Sequence, residues 1–301
     1  MGGRRLWYLA GFTGLLLWAL YTPRPAHPLY PIREPAPPVA LGTEFDKTHC
    51  GAVRGMVEWS GSVPAAEPIR LINVHIPPAE TRTVPNPNAP RIHAGRLADA
   101  VVYLVGVDPR RSAPWQPDPV CVEAWRSELT VKQGDRRGRV AIARRGDTVD
   151  LVSRDPIDPI TREPLHSIRG RGAAFFTQML PVPDQPVRRT FSESGIIELS
   201  SGSSYYWLRA YLLVSDHPYA TVTAPDGAFD FAKVPDGQYE AMCWVPNWHV
   251  DRFENDPELS LWGGPARMTF RPAVEKRQRV VVRAGQVAEL RFSLSAADFE
   301  R

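Results

Sequence analysis

Two apolar runs dominate the alternation of hydrophobic and polar positions along the chain. Residues 100–107 (AVVYLVGV) are almost continuously apolar, the pattern of a strand buried on both faces. Residues 206–214 form the second run, within ELSSGSSYYWLRAYLLVSDHPY. It follows Ile196, Ile197, Leu199 and a Ser/Gly loop, and it ends at the corner Asp216-His217-Pro218-Tyr219. Val53, Gly55, Val57 and Trp59 alternate with Arg54, Met56 and Glu58, which predicts a half-buried strand. Further strands are predicted over residues 128–133, 139–143, 148–153, 175–180, 196–199, 279–283 and 288–294. Residues 77–96 are polar and proline-rich and read as a loop. Asp226-Gly227 and Asp236-Gly237 lie between alternating segments and predict hairpin turns, because glycine supplies the positive φ such turns need.

The amino-terminus breaks this pattern. Arg4 and Arg5 precede an uninterrupted apolar stretch, residues 6–21, which as a helix at ~1.5 Å per residue would reach about 24 Å. That is slightly short of a bilayer core of roughly 30 Å. Residues 1–21 therefore read as a signal peptide or a signal anchor. Ala19-Leu20-Tyr21 makes a poor cleavage site, so the anchor is favoured, with the arginines holding the amino-terminus in the cytoplasm. Residues 22–45, with seven prolines from Pro23 to Pro38, form an extended linker.

Length and composition narrow the class. The 301 residues suit two domains, and 31 prolines favour short strands and turns over helix. A net charge of +3 with interspersed signs, and no nucleic-acid motif, excludes a nucleic-acid partner. The arginine-rich patches (Arg136, Arg137, Arg139, Arg144, Arg145, Arg169 and Arg171) could meet an anionic surface, but read first as solvated hairpin turns. Cys50, Cys121 and Cys243 lie far apart without C-x-x-C spacing, consistent with buried free thiols or one disulfide and one thiol.

The strand, loop, strand and corner around residues 196–219 resemble the end of a cupredoxin sandwich. They are similar to a bacterial envelope family whose loop reads C-x-x-H-x-W-M, followed by an alanine-tyrosine strand and a D-H-P-Y corner. Anchoring on Trp207, Ala210, Tyr211 and Asp216–Tyr219 places Gly202 at the cysteine, Tyr205 at the histidine and Leu208 at the methionine. His166 falls where the family's first histidine ligand would stand. The resemblance thus implies a metal site that has been vacated. The opening G-x-V-x-W strand, together with DG-x-F-x-F and VP-x-G-x-Y after residue 220, resembles a carboxypeptidase regulatory-like, transthyretin-like sandwich. The expected fold is all-β: an N-terminal hydrophobic helix, then two β-sandwiches, the cupredoxin-like one inserted into or followed by the other. The insertion gives residues 46–107 and 216–297 to the carboxypeptidase regulatory-like sandwich and 108–215 to the cupredoxin-like domain.

Chemistry follows from what these positions hold. A blue-copper centre needs a thiolate and two imidazoles, and the loop from Ser200 to Leu208 contains no cysteine, histidine or methionine. No cofactor and no metal is expected. His166 reads as a surface-loop histidine bonded to a backbone carbonyl, and His217 as a packing and hydrogen-bonding residue between the sandwiches. No zinc motif, nucleophile elbow or phosphate loop occurs, so no catalytic residue is assigned. Candidate binding residues are His166, Tyr205, Tyr206, Trp207, Trp248 and His249, whose rings could form a stacking platform for a glycan or an envelope protein. The alternative for Trp244 and Trp248 is core packing. The sequence thus points to a non-catalytic binding or structural protein of the cell envelope. It is anchored in the inner membrane with its folded part outside the cytoplasm, or else exported. A copper or electron-transfer protein is the alternative, and a cryptic hydrolase the second.

Overall fold

The alternation in the first predicted strand is realised in β1 (Cys50–Trp59), whose Val53, Val57 and Trp59 are buried. The computed structural model describes residues 41–73, 80–125, 128–157, 166–202, 207–254 and 267–300. The expected N-terminal helix and most of the linker lie outside the described residues. After β1 come β2 (Ile69–Asn73), β3 (Glu80–Val84), β4 (Ile92–His93), β5 (Arg96–Leu97) and β6 (Val101–Val105). Next are β7 (Val120–Trp125), β8 (Glu128–Gln133), β9 (Arg136–Gly138), β10 (Val140–Arg144) and β11 (Thr148–Ser153). They are followed by β12 (Ser167–Gly172), β13 (Phe176–Met179), β14 (Val187–Thr190), β15 (Gly195–Ser201) and β16 (Arg209–Ser215). The last are β17 (Ala220–Val222), β18 (Ala228–Pro235), β19 (Gly237–Val245), β20 (Val250–Glu254), β21 (Arg267–Phe270), β22 (Val274–Val282) and β23 (Val287–Leu294). The described residues are all-β, with helix confined to single 3₁₀ turns, and no helix among them is long and apolar enough to cross a membrane.

Four sheets make two sandwiches. In the outer sandwich, β18-β1-β5-β4, with β23 parallel to β1, faces β17-β6-β19-β22. Between them Val57, Leu104, Phe231, Cys243, Val280 and Phe292 pack in one core. In the inner sandwich, β10-β16-β15-β12-β13 faces β14-β11-β7-β8-β9 across Val122, Leu151, Ile168, Leu199 and Leu212. A third apolar layer, including Val101, Ile142, Tyr211, Leu213, Val222 and Trp244, joins the β10/β16 face to the β6/β17/β19 face. This layer explains the two apolar runs. Strands β6 and β16 carry one side into their own core and the other into the layer between the sandwiches, so β16 is buried at all seven residues.

Turn chemistry was right in its geometry but not in its pairing. Gly227 adopts φ +75°, and its N–H donates to Ala224 O at 2.8 Å, closing a tight turn. Yet β17 and β18, on either side of it, belong to different sheets, as do β18 and β19 around Asp236-Gly237. Both are corners between the layers of the sandwich, not hairpins. A dipeptide dictates the local reversal; which strand pairs with which is set by burial of the alternating faces.

Other boundaries shift as well. Residues 77–96, expected as a loop, contain β3, β4 and the first residue of β5. Gly42 and Glu44, at the end of the expected linker, donate backbone hydrogen bonds to Pro109 O and Arg110 O. Beyond the expected limit at residue 297, Phe299 is fully buried, stacked on Trp59 at 5.7 Å and tilted against Trp248 at 4.5 Å.

Candidate functional site

Strands β12 and β15 are antiparallel neighbours with Ile168 opposite Ser201, so their facing ends set His166 beside the start of the loop after β15. Gly202 N–H donates to Ser167 O at 2.8 Å, tying that loop to the β12 start. His166 is 2% exposed and its Nε2 lies 2.7 Å from Asp155 Oδ2. The surface-loop expectation for His166 is therefore corrected: the ring is buried beside a carboxylate rather than solvated. Asp155, which precedes Pro156, supplies that carboxylate.

The donor set at this end does not fit copper. A Cβ on Gly202 would overlap Ser167 Oγ, leaving no room for a cysteine side chain unless Ser167 moves. Leu208 is buried in the inner core alongside Trp207. Tyr205 and Tyr206 lie outside the described residues. A glycine, a leucine and one imidazole cannot make a thiolate–imidazole trigonal site. Among the described residues no group of three His, Cys, Asp or Glu side chains could hold a metal ion. The three cysteines are unpaired, and burial pushes the Cys243 thiol up to about 12.

The tryptophans Trp207, Trp244 and Trp248 are core residues, and His249 is half-buried. Trp248 is 1% exposed, between Trp59, Phe299 and the His249 ring, so it offers no face to a sugar. Trp244 stands edge-on to Tyr211 at 4.9 Å in the layer between the sandwiches. Trp207 is held from its backbone: Asn88 Nδ2 donates to its carbonyl at 3.0 Å. Asn88 Oδ1 in turn accepts from Arg139 Nη1 at 2.8 Å, and Asn86 Nδ2 donates to Trp248 O at 3.2 Å. Arg139 is thus not a solvated turn residue, and burial holds its pKa below the usual arginine value.

His217 sits at the corner joining the inner to the outer sandwich. Its Nδ1 accepts from Tyr219 N–H at 3.2 Å, and burial depresses its pKa against opposing contributions from Asp216 and the Leu104 backbone. Tyr219 Oη donates to Lys233 O at 2.6 Å and accepts from Ala113 N–H at 3.0 Å. Burial pushes the Tyr219 hydroxyl up to about 12.

A cleft missed by the sequence reading opens on the outward face of β12, β13 and β15. Its volume is about 480 Å³, and Met268, Thr269 and Phe270 of β21 form one wall. Arg169 and Arg171, expected on solvated turns, stand on β12 and line it. Register places Thr177, Arg169, Ser200 and Arg209 in one row across four strands. The next row sets Arg171 opposite Glu198. Glu198 nevertheless turns to Arg209, Oε2 to Nη2 at 3.0 Å and Oε1 to Nε at 3.3 Å. Arg209 Nη1 also donates to Asn247 O at 2.8 Å, and its guanidinium lies 4.0 Å from the Phe270 ring centroid. The R-G-R-G spacing, two arginines on one face of a strand, was the available signal; the masking factor was their assignment to a turn.

No family model matches the chain, and no curated protein matches it. Among solved structures it is similar to the Cu-containing nitrite reductase from Thermus scotoductus SA-01, at 20% identity and a TM-score of 0.25, over 37% of this chain and 24% of that one. This chain therefore spans about a quarter of the nitrite reductase chain. It is also similar to an oxidized amicyanin variant, at 16% identity and a TM-score of 0.25, over 35% of this chain and 89% of that one. A reduced amicyanin variant is similar at 15% identity and a TM-score of 0.25, over 38% and 98% of the two chains. TM-scores at this level do not establish a shared fold.

Proposed function

We propose that this chain is a non-catalytic binding or structural protein of the cell envelope, in which a cupredoxin-like sandwich has lost its metal. The observation that carries the reading is the closure of the cysteine position: Gly202 is held against Ser167, where a side chain would overlap the hydroxyl. Leu208, at the methionine position, is spent on core packing. On this reading β7–β16 form the cupredoxin-like sandwich, inserted between β6 and β17 of a carboxypeptidase regulatory-like one. Chain connectivity supports the insertion, since β6 pairs with β17 and β19 across the whole intervening segment. The envelope location rests on Arg4, Arg5 and the apolar residues 6–21. Another envelope protein or a glycan is the partner class.

The test is to mix the purified full-length protein with Cu(II) and record its absorption. The expected result is no thiolate-to-copper charge-transfer band and no copper retained after desalting. An intense band with one retained copper ion per chain would replace this reading with that of a copper protein.

A further inference from the structure

We infer that the cleft over β12 and β15 binds a phosphomonoester carried on a flat or apolar group. This goes beyond the reading above: the cleft adjoins the Gly202 position through Arg169 and Ser200, but it takes an anion rather than a metal, and its test does not involve copper.

The row across the sheet consists of hydrogen-bond donors. Thr177 and Ser200 offer hydroxyls, Arg169 and Arg209 guanidiniums, and no carboxylate interrupts them. Neighbouring strands are spaced ~4.8 Å apart, so Arg169 and Arg209, on either side of Ser200, are roughly 10 Å apart at the backbone. Arg169 and Arg171, two residues apart on one face of β12, are ~6.6 Å apart along the strand. Guanidiniums at these spacings can reach one anion from different sides.

Charge then decides the ligand. Glu198 is committed to Arg209, and Asn247 O takes another of that guanidinium's N–H groups. Among the described residues neither Arg169 nor Arg171 has a carboxylate within ion-pair distance. Two cations without a carboxylate partner among the described residues match the charge of a phosphomonoester near neutral pH, ~−1.5 to −2. A carboxylate has two oxygens and one charge; a phosphate presents three oxygens, enough for both arginines and the Ser200 hydroxyl. The apolar requirement comes from the rim. Phe175, 80% exposed, and Phe270 both line the cleft. An exposed ring beside arginines suits the carrier group of the ester better than bare inorganic phosphate.

The ester could be a soluble metabolite or a lipid headgroup, and the probes separate these sources. Calorimetry on the full-length protein would compare phenyl phosphate, dihexanoyl phosphatidic acid, benzoate and benzyl alcohol. Phenyl phosphate should bind saturably at one site per chain, weaken with added salt, and exceed benzoate about tenfold; benzyl alcohol should not bind. Tighter binding of the phosphatidic acid assigns the site to a lipid, and equal or weaker binding to a soluble ester. Arg171→Gln alters an exposed side chain, and Arg169→Gln a half-buried one; each should weaken binding about tenfold at an unchanged unfolding midpoint. The proposal is overturned if neither phosphate binds saturably, if benzoate binds as tightly as phenyl phosphate, or if Arg171→Gln leaves the affinity unchanged.

Discussion

The side chain of Asn88 donates to the carbonyl oxygen of Trp207 at 3.0 Å, so the connection between β3 and β4 holds the chain as it leads into β16. Asn88 is 4% exposed and also receives Arg139 Nη1. Asn88→Ala removes a donor from the first partner, in a buried bond, and an acceptor from the second, in a half-buried one. A loss of about 1–3 kcal/mol in urea unfolding is expected. A change below ~0.5 kcal/mol, the range of an ordinary surface substitution, would mean that the asparagine organises nothing.

Two glycines separate backbone strain from steric overlap. Gly227 and Gly285 have nearly the same positive φ, +75° and +70°. A Cβ on Gly227 would lie 2.5 Å from Val57 O, whereas one on Gly285 would meet nothing within 4 Å. Gly285→Ala should therefore cost about 1 kcal/mol from conformation alone, and Gly227→Ala clearly more. Equal unfolding midpoints for the two variants would refute the packing of the 224–228 turn against β1.

Acid should weaken the corner at His217. Its folded pKa is depressed, chiefly by burial, while the unfolded chain titrates near the ordinary value of about 6.5. Between those two values the unfolded state binds the proton and the folded state does not. The stability associated with neutral His217 is thus complete above pH ~6.5 and declines as the pH falls toward the depressed folded pKa. Unfolding midpoints measured from pH 7.5 to 5 should drop, and His217→Gln should flatten that slope; identical slopes would assign the acid sensitivity elsewhere.

The close approach of Gly202 to Ser167 makes its own prediction. Gly202→Cys should lower the unfolding midpoint because the new Cβ meets Ser167 Oγ, and adding Ser167→Gly should restore part of the loss. A double-mutant cycle with no coupling would show that the two positions do not compete for space.

The strands legible in the sequence are those whose environment is one-sided or fully apolar. Alternation marked β1 because one of its faces meets the outer core, and continuous apolar runs marked β6 and β16 because both faces are covered. Asn86 and Asn88 were illegible for the opposite reason. Polar side chains among prolines look like a solvated loop, and only the partners at Trp248 O and Trp207 O, far away in sequence, make them interior residues. His166 misled in the same way, since its carboxylate neighbour Asp155 is contributed from the end of β11. Arg169 and Arg171 were visible as a pair, but a turn and a strand edge present the same Gly-Arg spacing. The strand register that aligns Arg169 with Ser200 and Arg209 is a property of three segments together.

The parallel pairing of β23 with β1 has a consequence for the order in which the chain assembles. Strands β1 and β6 are made early, yet β17, β18, β19 and β23 are their partners, and these follow the whole of β7–β16. Pairings across so long a segment form slowly, whereas β7–β16 can pair within themselves. Once paired, they bring the chain leaving β6 back beside β17, where Tyr103 faces Ala220. Assembly then runs from the middle outward, and pulse-labelled hydrogen exchange should find β7–β16 protected before β1; simultaneous protection would contradict that order. Until β23 arrives, one side of β1 from Ala52 to Trp59 is an open edge, available to any neighbouring strand. A chain cut before Val287 would keep that edge open permanently.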